Sequence, residues 1–474
     1  MGYIRGSNRN QVTLFPESLD DYIPADHLVR VIDAFIDRQD LRLLKFQRAV
    51  AADTGRPGYD PADLLKLYVY GYFYRTRSSR LLEREAQRNL ELIWLLKKLA
   101  PDFKTIADFR RDNGAGIQNL FRAFTRFCMG QGLITGALVA IDGSKFAAVN
   151  SKARNVSAAK LEQHLQALDA RGRAYLAELD QNDQAEAAEQ APTAERIRTA
   201  LKAIADKKVD VQARQVALQA SGEKQLSTTD PDSRAMRSGS GHAVIGYNVQ
   251  IAVDSAHKLI VDATPTSDCN DRHQLAVQAL AVKELLGVET LDVVADKGYA
   301  NGADYAQCQA HGITAYVPEI RSTPSPDHFG SDRFAYDAGT DCYRCPAGQR
   351  LHYRSTSQQQ GRAVRRYKTD ACGSCPLREQ CTGDRRGRSI ARAPFAEAVE
   401  AMAARTAARP ERVQQRKCLV EHPFGTLKRA MNHGYFLTRR LPKVTTEIRL
   451  SALCYNLKRT MNILGGKAMM QALA

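Results

Sequence analysis

Residues 137–143 read Ala137-Leu138-Val139-Ala140-Ile141-Asp142-Gly143, and residues 290–298 read Thr290-Leu291-Asp292-Val293-Val294-Ala295-Asp296-Lys297-Gly298. Each is a short apolar run of buried-strand length that ends on an aspartate, with a glycine just beyond. Strand ends in an α/β layer open into a crevice where ligands gather, so a carboxylate there projects into the crevice rather than the core. One such Asp has a plain structural alternative as a turn or cap residue. Two in matching settings point to a shared site.

Working outward, Tyr247 to Asp254 alternates with period two, Ser255 to Lys258 suits a turn, and Leu259 to Ala263 suits a returning strand. A helix is expected near His273 to Leu286, and a further strand at Ile313 to Val317. This order predicts a mixed α/β layer. Before it, residues 1–135 read as a helical domain. Asp60-Pro61 is a capped helix start, and Leu64, Leu67, Tyr68 and Tyr72 follow at helical spacing. Arg75, Arg77 and Arg80 then give basic helix ends. Such a domain either reads a DNA site or serves as packing scaffold.

The layer is interrupted twice. Over 156–225, Leu161, Leu165, Leu168, Tyr175 and Leu179, then Ile197, Leu201, Ile204, Val211 and Leu218, predict a helical hairpin, with a polar stretch holding Asn182 and Pro192 between its arms. Residues 321–395 are rich in Ser, Arg, Gly and Cys and show no regular pattern, which points to organisation by a metal. Residues 396–474 read as helical again. The catalytic layer is thus expected as 136–155, 226–320 and 396–474.

The chain has 474 residues and a net charge of +16, an excess that suits a polyanionic partner. From Ala401 to Ala474 there are 14 Lys or Arg against 3 Glu and no Asp. Arg439, Arg440, Lys443, Lys458 and Arg459 are candidate phosphate contacts there. No apolar run reaches the roughly 18 residues of a membrane span. The expectation is a cytoplasmic, nucleoid-associated protein with no membrane partner.

A third carboxylate stands in Val420-Glu421-His422-Pro423-Phe424-Gly425-Thr426-Leu427-Lys428. Lys428 lies at i+7 from Glu421, on the same helical face, where it could hold a phosphate beside a metal-bound carboxylate. Pro423 predicts a helix start near Glu421, a setting that favours a carboxylate. Hard oxygen ligands suit Mg²⁺ or Mn²⁺, and two such ions can clamp a phosphodiester between them. Separately, Cys342-x-x-Cys345, Cys372-x-x-Cys375 and Cys381 offer five thiolates for the four places of a structural Zn²⁺ site. The alternative is a loop of unligated thiols.

The order and context of these motifs resemble the DDE transposases of bacterial insertion sequences, over nearly the whole chain. Gly58-Tyr59-Asp60-Pro61, Arg77-Ser78-Ser79-Arg80 and Thr105-Ile106-Ala107-Asp108-Phe109-Arg110 look like that family's N-terminal domain. Ile141-Asp142-Gly143, Ala295-Asp296-Lys297-Gly298-Tyr299 and Val420-Glu421-His422-Pro423-Phe424-Gly425 with Lys428 look like its three catalytic motifs. Thr229-Asp230-Pro231-Asp232-Ser233, Gly246-Tyr247-Asn248-Val249-Gln250 and Asn270-Asp271 match intervening segments.

The resemblance implies an RNase H-like mixed sheet core with an N-terminal helical domain, a helical-hairpin insertion and a small zinc-binding insertion. It implies that Asp142, Asp296 and Glu421 bind two Mg²⁺ or Mn²⁺ ions and that Lys428 contacts DNA near the cut. The partner would be double-stranded DNA, both transposon ends and target, bound by a homodimer. The zinc ligands would be Cys345, Cys372, Cys375 and Cys381, leaving Cys342 spare. Related enzymes often carry Tyr and Arg seven and four residues before the catalytic Glu. Here Gln414 and Lys417 stand there, keeping the charge and losing the ring. The rival readings are a zinc-containing DNA-binding regulator without catalysis and a tyrosine recombinase, for which no clear Arg, His and Tyr set is present.

Overall fold

The computed structural model describes residues 18–51, 53–54, 57–150, 154–182, 187–237, 243–319, 328–359 and 362–473. The N-terminal part is helical, with α1 (Leu28–Asp37), α2 (Pro61–Phe73), α3 (Ser79–Arg88), α4 (Leu90–Leu95), α5 (Phe103–Asp112) and α6 (Gly114–Gly130). Asp60 starts α2: its carboxylate accepts the Ala62 N–H at 2.8 Å, and Pro61 takes the first turn. Leu65, Leu67, Tyr68, Val69 and Tyr72 are fully buried, so α2 is a central helix rather than a surface one.

The basic helix ends read from the sequence need one correction. Arg77 is buried, pairs with buried Glu447 at 3.1 Å and donates to the carbonyls of Tyr435 and Asn432. It joins the helical domain to the C-terminal part and is no surface contact.

The sheet begins with β1 (Val139–Ala147). After β2 (Asn155–Ser157) come α7 (Ala158–Asn182) and α8 (Ala187–Ser221), then β3 (Gln225–Ser227). β2 and β3 pair antiparallel at the root of the α7–α8 hairpin. Leu161, Val211 and Leu218 pack with Val156 there. Pro192 stands within α8 rather than in a break between the arms, whereas the Leu179 side chain lies outside the described residues. The core resumes with β4 (Arg234–Arg237), β5 (Ala243–Asp254), β6 (Ile260–Thr266), α9 (Leu275–Leu286), β7 (Leu291–Val294), α10 (Gly302–Ala310) and β8 (Ile313–Tyr316). β5 lies antiparallel between β1 and β6, while β1, β7 and β8 run parallel. The lateral order is β6-β5-β1-β7-β8, with β4 on the starting end of β5. The fold is mixed α/β.

Residues 335–392 are not the irregular stretch expected. β9 (Ala335–Asp337), β10 (Cys342–Arg344), β11 (Arg350–Gln359), β12 (Arg362–Lys368) and, after α11 (Arg378–Cys381), β13 (Ser389–Arg392) form an antiparallel sheet. Its own small core is Phe334, Tyr343, Leu351, Tyr367 and Ile390. α12 (Ala396–Ala408), α13 (Pro410–Gly425), α14 (Leu441–Leu464) and α15 (Gly466–Leu473) complete the chain. α14 is anchored to the sheet by Asn456, whose side chain pairs with both backbone groups of Ile260.

Candidate active site

Asp142 and Asp296 are brought alongside by strand register. Ala140 pairs with Val294 in the parallel β1–β7 ladder, and each aspartate lies two residues further on. Neighbouring strands are about 4.8 Å apart. β7 ends at Val294 while β1 continues with β5 to Ala147, so from Asp142 up to the bridge between Ala147 and Tyr435 the β7 side of β1 has no strand partner among the described residues. The two carboxylates flank that opening.

Asp142 Oδ1 accepts its neighbour Gly143 N–H at 2.9 Å, and Oδ2 accepts from Arg416 Nη1 of α13 at 3.0 Å. Its side chain is 20% exposed. Burial pushes its carboxyl up to about 6, Asp296 and Asp271 push the same way, and the Arg416 guanidinium opposes them. Asp296 caps the turn Lys297–Tyr299, accepting Gly298 N–H at 2.7 Å. Lys145 faces the same acidic centre. Burial lowers its amine, while Asp271, Asp142 and Asp296 act against that.

Glu421 stands differently. α13 begins at Pro410, and Pro423 lies inside the helix, so the expected helix start near Glu421 is not there. That expectation treated Pro as a first-turn residue. Here the ring is tolerated close to the end of a helix that continues into a π turn, Thr426–Ala430. Arg416, Val420 and Phe424 turn toward the sheet, and Glu421 does not. It is 65% exposed and pairs with Lys417 of the same helix at 3.8 Å. The structure therefore brings Asp142 and Asp296 together and leaves Glu421 at the surface. Among the described residues, no three His, Cys, Asp or Glu side chains stand close enough to hold a metal ion as they are.

Lys428, in the π turn, donates to Ser144 Oγ at 2.6 Å and to the Lys145 carbonyl at 2.8 Å, and lies over the Phe146 ring. It is thus tied to the β1 residues that follow Asp142. Burial lowers its amine. Arg439 and Arg440 are exposed, and the Arg440 N–H is held by Asp230 Oδ1 at 2.9 Å. Lys443 is exposed at the start of α14, whereas Arg459 donates to the His257 carbonyl and Lys458 lies over the Phe73 ring.

The cysteines sort cleanly. Cys345, Cys372, Cys375 and Cys381 line one small cavity of about 20 Å³, and Cys342 does not. Cys342 is buried on β10, beside the Thr340 hydroxyl. The cavity has room for one ion and no substrate. Gly387, at φ +79°, packs against Cys372, where a Cβ would come within 2.8 Å of the Cys372 Cβ. Burial raises the Cys381 thiol and the other three thiols push the same way, against Arg388.

Sequence reading passed over Arg416, Lys145 and Asp271 as members of this centre. The one available signal was Asn248 and Gln250, polar residues at i and i+2 in a strand otherwise buried.

Residues 17–112 match the family model described as Transposase domain (DUF772), and residues 344–461 match that described as Transposase DDE domain. The chain belongs to the DDE transposases of insertion sequences. The second match takes in Glu421 and Lys428 of this transposase, whereas Asp142 and Asp296 precede it. No curated protein matches the chain. A cryo-EM structure of a piggyBac transposase synaptic complex with hairpin DNA is similar at 10% identity, covering 94% of this chain and 79% of that one. Its TM-score of 0.32 is too low to bear on fold or chemistry.

Proposed function

We propose that this transposase binds terminal inverted repeats and performs metal-dependent phosphodiester hydrolysis and strand transfer. The carrying observation is the parallel register that sets Asp142 and Asp296 side by side at an opening in the sheet. The strand order β6-β5-β1-β7-β8, antiparallel on one side and parallel on the other, supports reading the layer as an RNase H-like core.

Asp142, Asp296 and Glu421 are the residues that would hold Mg²⁺ or Mn²⁺, and hard carboxylate oxygens fit those ions. Bound there, two ions would activate the attacking water or 3′-OH and stabilise the leaving oxygen. For Glu421 to join, α13 must turn. Pro423 donates no hydrogen bond to the helix ladder, and the π turn follows directly, so the backbone there is already irregular. Arg416 would release Asp142 and become available to phosphate. Lys428 would position the scissile strand over Ser144. Lys417, Arg439, Arg440 and Lys443 would neutralise flanking phosphates of double-stranded DNA. Holding two transposon ends together calls for a homodimer on DNA.

In the cysteine module, Cys345, Cys372, Cys375 and Cys381 would hold one structural Zn²⁺. Four cysteine side chains lining a cavity of single-ion size support this, and would close in on the ion as thiolates, leaving no place for substrate.

The test is cleavage of duplexes carrying the element's terminal repeats by the full chain, with Mg²⁺ or Mn²⁺ and with a chelator. Metal-dependent release of a 3′-OH at the repeat boundary, lost in Asp142→Asn and Asp296→Asn, is expected. A covalent protein–DNA adduct, or cleavage indifferent to both substitutions, overturns the reading.

A further inference from the structure

Asp271 lies just before α9, yet its carboxylate takes no part in starting that helix. The N-cap is Gln274, which makes no side-chain cap bond, and only the Asp271 backbone carbonyl accepts the Gln274 N–H. The carboxylate turns instead to the sheet. Its Oδ1 accepts from Asn248 Nδ2 at 2.7 Å and from Gln250 Nε2 at 2.6 Å. Gln250 is in turn held by the hydroxyl of buried Tyr299, which donates to its Oε1. Among the described residues, no hydrogen bond reaches Asp271 Oδ2.

Gly143 makes room for this side chain, and Gly298 lies in ordinary contact with it while making room for Asp296. A Cβ on Gly143 would stand 2.3 Å from Asp271 Oδ1, and one on Gly298 would stand 3.7 Å from Oδ2 and 2.9 Å from Asp296 Oδ1. These glycines follow Asp142 and Asp296 by one and two residues. Alternation along β1 sends Asp142 toward α13, and Gly143 with Lys145 toward Asn248 and Gln250. Asp271 therefore meets the opening beside β1 from the other face of the sheet. A second feature points the same way. Asn248 is fully buried, and its Oδ1 has no partner although it would lie 2.9 Å from a Cβ on Gly143.

Neutral amides hold this carboxylate through one oxygen, the Lys145 amine acts on it from beside the same centre, and its other oxygen is left to a cation. We propose that Asp271 is a further ligand of the divalent-ion site, acting with Asp142 and Asp296, and that Asn248, Gln250 and Tyr299 are positioning residues that hold it. This rests on the reading of the Asp142–Asp296 centre given above. It gives that centre three carboxylates without Glu421; as they stand the three are not close enough to grip one ion, so they must draw together on it, and Glu421 would join when DNA is bound.

The test is Mn²⁺ binding to the full chain without DNA, at neutral pH, followed by calorimetry and by the electron paramagnetic resonance of free Mn²⁺. Mn²⁺ is a hard ion and a poor probe of the cysteine module. Asp271→Asn is isosteric and is expected to weaken Mn²⁺ binding at least tenfold, with Gln250→Ala weakening it less. Asp271→Ser gives the same reading should the Asn form not fold. Asp142→Asn separates the two levels. If it abolishes binding while both Asp271 variants bind as the unaltered protein does, Asp271 is structural and the two-aspartate reading stands. If the unaltered protein and Asp142→Asn bind alike, the centre itself is misread and this inference falls with it.

Discussion

Asp142→Asn should make the apoprotein more stable at neutral pH while removing cleavage. The Asp142 carboxyl is raised from 3.8 to about 6, chiefly by burial. At about 1.4 kcal/mol for each tenfold change in proton affinity, the ionised form costs the folded state about 3 kcal/mol. The sign follows from the raised value. The folded state binds the proton more tightly than the unfolded chain does, so the favourable contribution is complete below 3.8. It is lost as pH rises from 3.8 to about 6. Asn keeps the shape and carries no charge, so most of the penalty disappears at pH 7. Thermal melts of both proteins without metal, across pH 4 to 7, read this out. The variant should melt higher at pH 7, with the gap shrinking toward pH 4. A variant that melts lower at pH 7, or a gap that does not change with pH, refutes the argument.

Gly143→Ala should lower Mn²⁺ affinity and cleavage without unfolding the protein, because the new Cβ would press on Asp271 Oδ1 at 2.3 Å and Gln250 Nε2 at 2.5 Å; binding isotherms check it. Arg77→Ala should destabilise by about 3–5 kcal/mol, since it strips the partner from a buried carboxylate, and denaturant titration measures the loss. Cys372→Ser, or a strong chelator, should release one zinc per chain and loosen residues 335–392, whereas Cys342→Ser should release none; metal analysis with hydrogen exchange distinguishes them. Lys428→Ala should cut the cleavage rate more than it weakens DNA binding, because one phosphate contact among many carries little of the affinity; single-turnover rates beside binding curves test this.

The aspartates were legible because a strand end announces itself locally, as an apolar run that stops on a charge. The hairpin was legible because ten apolar residues keep helical spacing over its two arms. Other features depend on what folding brings together. Asp271 is followed by a helix, and nothing near it in sequence says that Asn248, Gln250 and two glycines gather around it. Arg77 stands in a run of arginines that reads as surface until Glu447 is placed beside it. The sheet of residues 335–392 escaped notice because strands such as Arg350–Gln359 are exposed along most of their length and so lack alternation. At Pro423 the local rule pointed the wrong way: proline favours first turns, but here tertiary packing holds it within the helix.

The hairpin has a mechanical consequence. α8 has 35 residues, about 50 Å at 1.5 Å per residue. It is rooted on a two-stranded ribbon spliced into the chain between β1 and β5. Ten degrees of rocking at that root carries the far end of α8 on the order of 9 Å, given the same rise per residue. Whatever grips the outer end therefore works a long lever whose fulcrum adjoins the strand pair bearing Asp142, Asn248 and Gln250.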